Sequence, residues 1–429
     1  MSFGDQLPRI VAPPPGPRSR ALSAELRELE APGINTLPPP PALQASLLWE
    51  EARGANVQDV DGNVYIDLTA GFGVAAVGHR HPRVVAAVRQ QAGRLLHALG
   101  DVHAHPRRVE LARLLVALAP VDDAQVFFAI SGSEAVEIAL KTALAATGRP
   151  GIVAFVPSYH GMTLGALAVT SRPEFREPFA AHLHTGVRRL PFGTGLAQVD
   201  EALAGGDVGA VIVEPIVGRE GALIPPSGWL SGIAEICRRR GALLIADEIF
   251  TGFGRTGRLF AVQHEGVRPD VLCCGKALGG GLPIAAVIAR RDLFRCWETP
   301  GEARHTATFL ANPLACAAAL AAVAVIQESD LPARAARLGE TLGRRLDDWP
   351  RRFPAVEAVR GRGLFWGIQF RTAEAAKSWM LDAWCRGVLL LAGGPEGRVG
   401  QIVPPLTIRE ELLEGAVGIL EESAGLPSG

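Results

Sequence analysis

Residues 242–260, ALLIADEIFTGFGRTGRLF, decide the fold of this 429-residue chain. An apolar run ends at Asp247 and Glu248 and gives way to a glycine-rich stretch, which is typical of a short buried strand followed by a turn. Helical patterns separate it from similar apolar runs at residues 124–130, 151–156, 208–214 and 271–275. Buried strands that alternate with helices predict a mostly parallel sheet, covered by helices on both faces.

The overall fold class is therefore α/β, and the chain divides into three regions. Residues 1–70 comprise a proline-rich N-terminal arm and a segment that joins the small domain; within it, VQDVDGNVYIDL at 57–68 predicts a hairpin. Residues 71–314 carry the alternating pattern and form the large domain. Residues 315–429 begin with an alanine-rich helix and include the strand-like segment GLFWGIQF at 363–370. They predict a smaller α+β domain.

Composition and charge exclude several classes of function. The chain has 43 Lys+Arg against 44 Asp+Glu, so there is no global basic field for nucleic acid or an anionic membrane. The six cysteines lack the spacing of metal ligands, so we expect no metal site. The N-terminus lacks the apolar core of a signal peptide, and the longest uncharged apolar run is shorter than a membrane span of about 20 residues. We expect a cytoplasmic protein.

Lysine is rare in this chain. Only three of the 43 basic residues are lysines, namely Lys141, Lys276 and Lys377. Lys276 follows the apolar run VLCCG and precedes the glycine-rich ALGGGLP, so its amine is expected to be partly desolvated. Desolvation lowers the pKa of a lysine and favours the nucleophilic free amine, whereas an arginine would stay protonated. We therefore predict a catalytic amine at Lys276, the alternative being a surface lysine in a turn.

Polar residues follow five predicted strands at the point where each strand ends. They are Ser131-Gly132-Ser133-Glu134, Ser158-Tyr159-His160-Gly161, Glu214, Asp247-Glu248 and Lys276. Since ligands collect beyond the carboxyl ends of parallel strands, this grouping predicts a built site. The Ser-Gly-Ser segment opens a helix, which suits either phosphate binding or a simple N-cap.

Two further side chains at these strand ends favour an aromatic cationic ligand. Asp247 ends an apolar strand and needs a cationic partner, which is either a protonated pyridine nitrogen or a nearby arginine, Arg255 or Arg258. Tyr159 is one of two tyrosines. It either stacks on a flat ring or belongs to the core.

The motifs taken together resemble a known family. In order along the chain they are SGSEAVEIALK, SYHGMT, VEPI, LIADEIFTGFGRTGRLF, GKALGGGLP, HTATFLANPLACAAAL, GRGLFWGI and IVPPLTI. In this order they resemble the class III (ornithine/4-aminobutyrate type) aminotransferases, which are pyridoxal-phosphate enzymes of fold type I. The resemblance implies pyridoxal 5'-phosphate as the cofactor, an amine or amino-acid donor, and a carbonyl acceptor such as a 2-oxo acid. It also implies a homodimer with active sites at the interface.

The same resemblance gives roles to individual residues. Lys276 matches the lysine that forms the Schiff base, and Asp247 matches the partner of the pyridine nitrogen. The other implied cofactor contacts are Gly132 and Ser133 at the phosphate, Tyr159 and Ile249 on the two ring faces, and Thr308, which would reach the phosphate from the neighbouring subunit.

The expected substrate pocket departs from the family pattern. We expect it to include Phe72, Met162, Arg219 and Gln401. Met162 and Gln401 stand where 4-aminobutyrate aminotransferases carry carboxylate-binding arginines, and Arg219 replaces a glutamate that pairs with the second of these. Either Arg219 or Arg398 supplies a relocated carboxylate site, or both are solvated surface arginines.

Two other functions are compatible with parts of this pattern. A racemase or epimerase of the same fold would return the proton to the donor carbon and would need no oxo acid. A binding protein that retains the fold without turnover would not need Lys276, Asp247 and Tyr159 together. The complete set favours an aminotransferase.

Overall fold

The computed structural model describes residues 3–34 and 45–425, so the LPPPP tract of the predicted arm lies outside the described residues. The strands are β1 (Trp49–Arg53), β2 (Asn56–Asp59), β3 (Val64–Asp67), β4 (Ala124–Ala129), β5 (Gly151–Val156), β6 (Val187–Pro191), β7 (Val208–Val213), β8 (Leu243–Asp247), β9 (Val271–Cys274), β10 (Ala285–Arg290), β11 (Val356–Arg362), β12 (Phe365–Phe370), β13 (Val388–Leu389), β14 (Leu391–Gly393) and β15 (Val399–Ile402).

The helices, several of them a single turn, alternate with these strands. They are α1 (Pro17–Leu29), α2 (Ala70–Gly73), α3 (Pro82–Ala92), α4 (Pro106–Leu118), α5 (Gly132–Thr147), α6 (Leu164–Val169), α7 (Pro173–Arg176), α8 (Leu196–Leu203), α9 (Trp229–Arg240), α10 (Arg291–Phe294), α11 (Pro313–Glu328), α12 (Leu331–Leu346), α13 (Trp349–Arg352), α14 (Ala373–Cys385) and α15 (Glu410–Ala424).

The chain divides into two compact units. One comprises Met1–His81 with Leu338–Gly429, and the other comprises Pro82–Arg337. The domain boundaries predicted after residues 70 and 314 stay predictions. Within the described ranges no single helix is long and apolar enough to cross a membrane, although the bent pair Pro313–Glu328 and Leu331–Arg352 passes together by length and composition.

The unit Pro82–Arg337 is built on a seven-stranded sheet of order β4-β10-β9-β8-β7-β5-β6. Strand β10 is antiparallel to both its neighbours, and β9, β8, β7, β5 and β6 run parallel to one another. The predicted, mostly parallel sheet is therefore confirmed. Because β4 runs in the same direction as this parallel group, the carboxyl ends of β4, β5, β7, β8 and β9 lie at one edge.

Helix α5 is held against this sheet by small and branched apolar side chains. The Ser131 hydroxyl accepts the Glu134 N–H at 3.2 Å to cap the helix, and Gly148 ends it in the left-handed region at φ 67°. The alanines on its buried face allow close approach to the strands. Its core neighbourhood includes Ala135, Val136, Ile138, Ala139, Ala154, Ile212, Ile245, Cys273 and Val287. This packing fixes the helix N-terminus just beyond β4.

The other unit contains two four-stranded sheets, of order β1-β2-β3-β13 and β11-β12-β15-β14. The predicted hairpin is confirmed: β2 pairs antiparallel with β3, and Gly62 turns the chain at φ 87°. Asp61 of this turn accepts the N–H groups of Arg18 (2.8 Å) and Ser19 (2.9 Å), which caps α1. Helix α1 begins at Pro17, directly after its N-cap residue Gly16.

Candidate active site

Lys276 lies directly beyond β9 and opens a 3-10 turn, Lys276–Gly279. Its backbone adopts φ 43°, a left-handed conformation that is uncommon for a lysine and typical of functional sites. Its ammonium nitrogen lies 3.6 Å from the centroid of the Phe250 ring. Burial, with the positive charges of Arg219 and Arg255, lowers the pKa of Lys276 to about 8, although Glu214 and Asp247 act in the opposite direction. The amine is thus partly desolvated, as the sequence predicted, and its catalytic role stays a prediction.

Asp247 ends β8 and is paired with a histidine. Its carboxylate accepts a hydrogen bond from His160 Nδ1 at 2.7 Å and another from the Ile249 N–H at 3.1 Å. The sequence suggested Arg255 or Arg258 as the ordinary partner for this acid, and the structure places His160 there instead. Burial opposes protonation of His160, but the hydrogen bond and charge of Asp247 raise its pKa above the ordinary value. The two hydrogen bonds thus hold the Asp247 carboxylate in place at the strand edge.

Glu214, which follows β7, is a second buried acid at the same edge. Its two carboxylate oxygens accept the N–H groups of Tyr159 and Gly218, each at 2.8 Å. Burial and the nearby Asp247 charge raise the pKa of Glu214 to about 7, with His160 opposing. The sequence identified Glu214 only as a polar strand end. In the structure it fixes the two loops that carry Tyr159 and residues 217–223.

The N-terminus of α5 forms a tight cradle with the loop that follows β5. The Ser133 hydroxyl accepts the N–H groups of Met162 (3.1 Å) and Thr163 (3.0 Å). Gly161 adopts φ 125°, and a side chain at this position would overlap the Ser133 hydroxyl. A Cβ at Gly132 would lie 3.0 Å from the side chain of Ile249. The absence of side chains at these two glycines lets the loop after β5 and Ile249 pack closely against the helix N-terminus, a position that suits an anion.

Tyr159 lies among aromatic and cationic groups. Its ring centroid is 6.3 Å from that of Phe175, in an edge-on arrangement. The guanidinium carbon of Arg219 lies 4.8 Å from the Tyr159 centroid and 5.3 Å from that of Phe175. Arg219, which was expected in the substrate pocket, thus contacts Tyr159. Its positive charge also contributes to the lowered pKa of Lys276.

Three further residues were predicted to belong to the site, namely Phe72, Gln401 and Thr308. Phe72 is exposed and has φ 59°, and Gln401 is buried in β15; both belong to the unit that contains the chain termini. Thr308 is exposed, and its carbonyl oxygen lies 3.1 Å from where a Cβ on Gly100 would be. Their roles stay predictions.

A histidine that the sequence did not suggest anchors the segment that carries Thr308. His305 is half-buried, whereas most of the residues around it are exposed. The centroid of its ring lies 5.9 Å from that of Phe127 and 6.2 Å from that of Trp297. Its Nδ1 accepts a hydrogen bond from Lys141 Nζ at 3.0 Å, and its Nε2 lies 3.5 Å from Glu134. Lys141, a residue of α5, therefore ties this segment to that helix.

The assembled groups suit one kind of ligand. A helix N-terminus suits a phosphate, a buried carboxylate suits a protonated ring nitrogen, and a buried amine of lowered pKa suits an aldehyde. Pyridoxal phosphate combines a phosphate, a ring nitrogen that can be protonated and an aldehyde.

Comparisons with known proteins agree with this chemistry. The model of the family "Aminotransferase class-III" matches residues 39–423. Acetylornithine aminotransferase of Methanopyrus kandleri is 45% identical over 371 residues, which cover 86% of this chain and 92% of the relative. That of Methanothermobacter thermautotrophicus is 40% identical over 381 residues, covering 87% and 93%.

A solved structure extends the agreement to the fold. The ornithine aminotransferase of Toxoplasma gondii, described with partial occupancy of pyridoxal phosphate at its active site, superposes with a TM-score of 0.85 at 31% identity. The match covers 93% of both chains. The chain therefore belongs to the class III aminotransferases, and it is a pyridoxal-phosphate-dependent transaminase of fold type I that transfers amino groups to an oxo acid.

Proposed function

We propose that Lys276 binds pyridoxal phosphate covalently in this transaminase, and that an amino acid is the donor and a 2-oxo acid the acceptor. The observation that carries the proposal is the environment of the Lys276 amine. It is buried beyond β9, and its pKa is lowered to about 8. A nucleophilic amine must be unprotonated, and this pKa supplies that form near neutral pH.

The remaining cofactor contacts are proposed from the same edge of the sheet. Asp247, held by His160, would pair with the protonated ring nitrogen, and Ser133 with the first N–H groups of α5 would bind the phosphate. Tyr159 and Ile249 would contact opposite faces of the ring. The full proposed set is Gly132, Ser133, Tyr159, Asp247, Ile249 and Lys276, with Thr308 from a neighbouring subunit.

The chain's own residues would divide the chemistry between them. When bound, pyridoxal phosphate supplies an electron-withdrawing ring that takes up the electron pair of the broken Cα–H bond. Asp247 keeps the ring nitrogen protonated, because a buried carboxylate stabilises a positive charge at hydrogen-bond distance. The Lys276 amine, once free, would act as the base that takes the proton from the donor carbon and as the acid that returns it during the transfer. Water is then needed to release the oxo product.

The names of the relatives provide the first substrates to test. Two relatives are acetylornithine aminotransferases, so N-acetylornithine with 2-oxoglutarate is the proposed first pair. Met162 and Gln401 carry no charge, and the carboxylates of these substrates therefore need another partner in this chain. Phe72 and Gln401 remain proposed pocket residues.

The experiment starts with the purified holoenzyme. Lys276→Ala is expected to abolish both the visible absorbance that borohydride removes and the transfer of amino groups to 2-oxoglutarate. Lys377→Ala is the matched control and should retain both. Borohydride-sensitive absorbance that persists in Lys276→Ala would refute the role of Lys276. Deuterium wash-in at the donor carbon with inversion, without an oxo acid, would instead indicate a racemase.

The proposed assembly is a homodimer. The four most exposed large apolar side chains among the described residues of the unit Pro82–Arg337 are Leu96 (60%), Leu99 (56%), Val102 (63%) and Phe309 (61%). They belong to two adjoining segments, since Asn312 Nδ2 donates to the Leu96 carbonyl at 3.0 Å and the rings of His97 and Phe309 lie 5.3 Å apart. An apolar group of this kind supports an interface between copies.

A complementation experiment tests whether Thr308 acts across that interface. Lys276→Ala and Thr308→Arg would each inactivate the homodimer. In a mixed dimer one site would combine an intact Lys276 with the partner's intact Thr308, so about half of the mixed dimers' sites should be active. If each subunit used its own Thr308, mixing would restore nothing. A monomer in solution by light scattering would refute the assembly.

A further inference from the structure

We infer that Arg219 binds the carboxylate of the amino-acid donor and of the oxo-acid acceptor, a specificity role that rests on the proposed function of Lys276. Arg219 lies on a short loop that the structure holds closed. Val217 and Leu223 exchange backbone hydrogen bonds of 2.9 and 3.2 Å, and Gly218, at the start of the loop, donates to Glu214. The loop is therefore fixed at the sheet edge where Lys276 lies.

The guanidinium of Arg219 is positioned by two aromatic rings. It lies 4.8 Å from the Tyr159 centroid and 5.3 Å from the Phe175 centroid, within the range of cation–π attraction. Attraction to both rings holds the guanidinium in place without using its N–H groups as hydrogen-bond donors. A planar fork of N–H groups with a fixed orientation matches a carboxylate in a bidentate arrangement.

This cation has no carboxylate partner among the described residues. Glu220, the next residue, is buried and forms an ion pair with Arg172, in which Nε of Arg172 lies 2.6 Å from Oε1 of Glu220. Glu214 accepts two backbone N–H groups. The Nε atom of Arg219 is buried, and no hydrogen bond satisfies it within the part of the chain that the structure describes. A partly buried cation of this kind is stabilised when an anion arrives.

Arg398, the other arginine suggested by the sequence, is already engaged within its own unit. Its guanidinium lies 3.8 Å from Glu357 and 4.0 Å from Glu396, and it donates to the Arg371 carbonyl at 3.3 Å. A substrate carboxylate would have to displace these acids. The structure therefore favours Arg219.

The test measures binding of glutarate, a dicarboxylate without a reactive carbonyl, to the holoenzyme through the change in cofactor absorbance. Arg219→Gln is expected to weaken glutarate binding by about 10- to 100-fold, which corresponds to about 1.4–2.8 kcal/mol at 1.4 kcal/mol per factor of ten. Arg219→Lys should lie between wild type and Arg219→Gln, because it retains the charge and loses the fork. Arg398→Gln should bind glutarate within about twofold of wild type.

The KM values for N-acetylornithine and 2-oxoglutarate should rise in Arg219→Gln, and kcat at saturation should change less. Three outcomes would overturn the inference. They are unchanged glutarate binding in Arg219→Gln, a loss in Arg398→Gln instead, and loss of cofactor absorbance in both Arg219 variants, which would mean that Arg219 only supports Tyr159. Failure of the proposed function is distinguishable, because the wild-type protein would then lack borohydride-sensitive absorbance altogether.

Discussion

The pH dependence of cofactor capture by Lys276 follows from the charges around its amine. The perturbation is a change of pH on the cofactor-free protein, followed by addition of pyridoxal phosphate. Burial and the charges of Arg219 and Arg255 lower the pKa of Lys276 to about 8, against Glu214 and Asp247. Below that pH the amine is increasingly protonated and cannot attack the aldehyde, so capture should slow as pH falls.

The magnitude can be worked from this pKa. With a pKa of about 8, roughly one Lys276 in ten is the free amine at about pH 7. With the ordinary value of 10.5, roughly one in three thousand would be. The expected rate therefore rises about tenfold per pH unit below about pH 8 and becomes level above it.

The assay is stopped-flow absorbance of the captured cofactor between about pH 6.5 and pH 10, a range that lies above the second phosphate pKa of about 6. A rate that continues to rise through about pH 10 would show that Lys276 is solvated, and would refute the reasoning. Glu214→Gln provides a second arm. Removing a negative charge that raises the pKa of Lys276 should move the midpoint to lower pH.

Four further changes have defined outcomes. Lys276→Met should raise the free energy of unfolding of the cofactor-free protein below about pH 8, because it removes a buried ammonium group. In the wild-type protein, stability should rise between about pH 8 and 10.5, where Lys276 has lost its proton in the folded chain and still holds it in the unfolded chain. Denaturant unfolding of Lys276→Met should show no such rise. Gly161→Ala should weaken pyridoxal phosphate binding, because its methyl group would overlap Ser133. A fluorescence titration measures this affinity, and an unchanged value would show that Gly161 and Ser133 do not form part of the phosphate site. Asp247→Asn should lower kcat by about 10²-fold or more while covalent capture continues, and near-normal kcat would remove Asp247 from the chemistry. His305→Ala should increase protease cleavage within residues 298–309 without unfolding the protein by circular dichroism, and an unchanged digestion pattern would show that another contact holds the segment.

Much of the site could be predicted because it depends on local sequence. A parallel strand that is buried on both faces reads as a continuous apolar run, and the first polar residue after it marks the strand end. Asp247, Glu214 and Lys276 each follow such a run, and the sheet brings these ends to one edge. The position of each residue in the fold thus followed from a few neighbours in the chain.

The partners of these residues could not be predicted in this way. His160 meets Asp247 across 87 residues, and Lys141 meets His305 across 164. Which side chains face each other at such separations depends on strand order and loop course, and a local pattern carries neither. The sequence therefore suggested Arg255 or Arg258 for Asp247, two cations that follow it within about a dozen residues.

The charges at this edge connect substrate binding to the basicity of Lys276. Arg219 lowers the pKa of that amine by its positive charge, and a carboxylate bound to Arg219 would largely cancel this effect. Occupation of Arg219 should therefore raise the pKa of Lys276 and make it a stronger base while a substrate is present. Since such coupling is reciprocal, protonation of Lys276 should in turn favour carboxylate binding. Glutarate should thus shift the midpoint of cofactor capture to higher pH in the wild-type protein and leave it unmoved in Arg219→Gln, whereas equal shifts in both would place the carboxylate elsewhere.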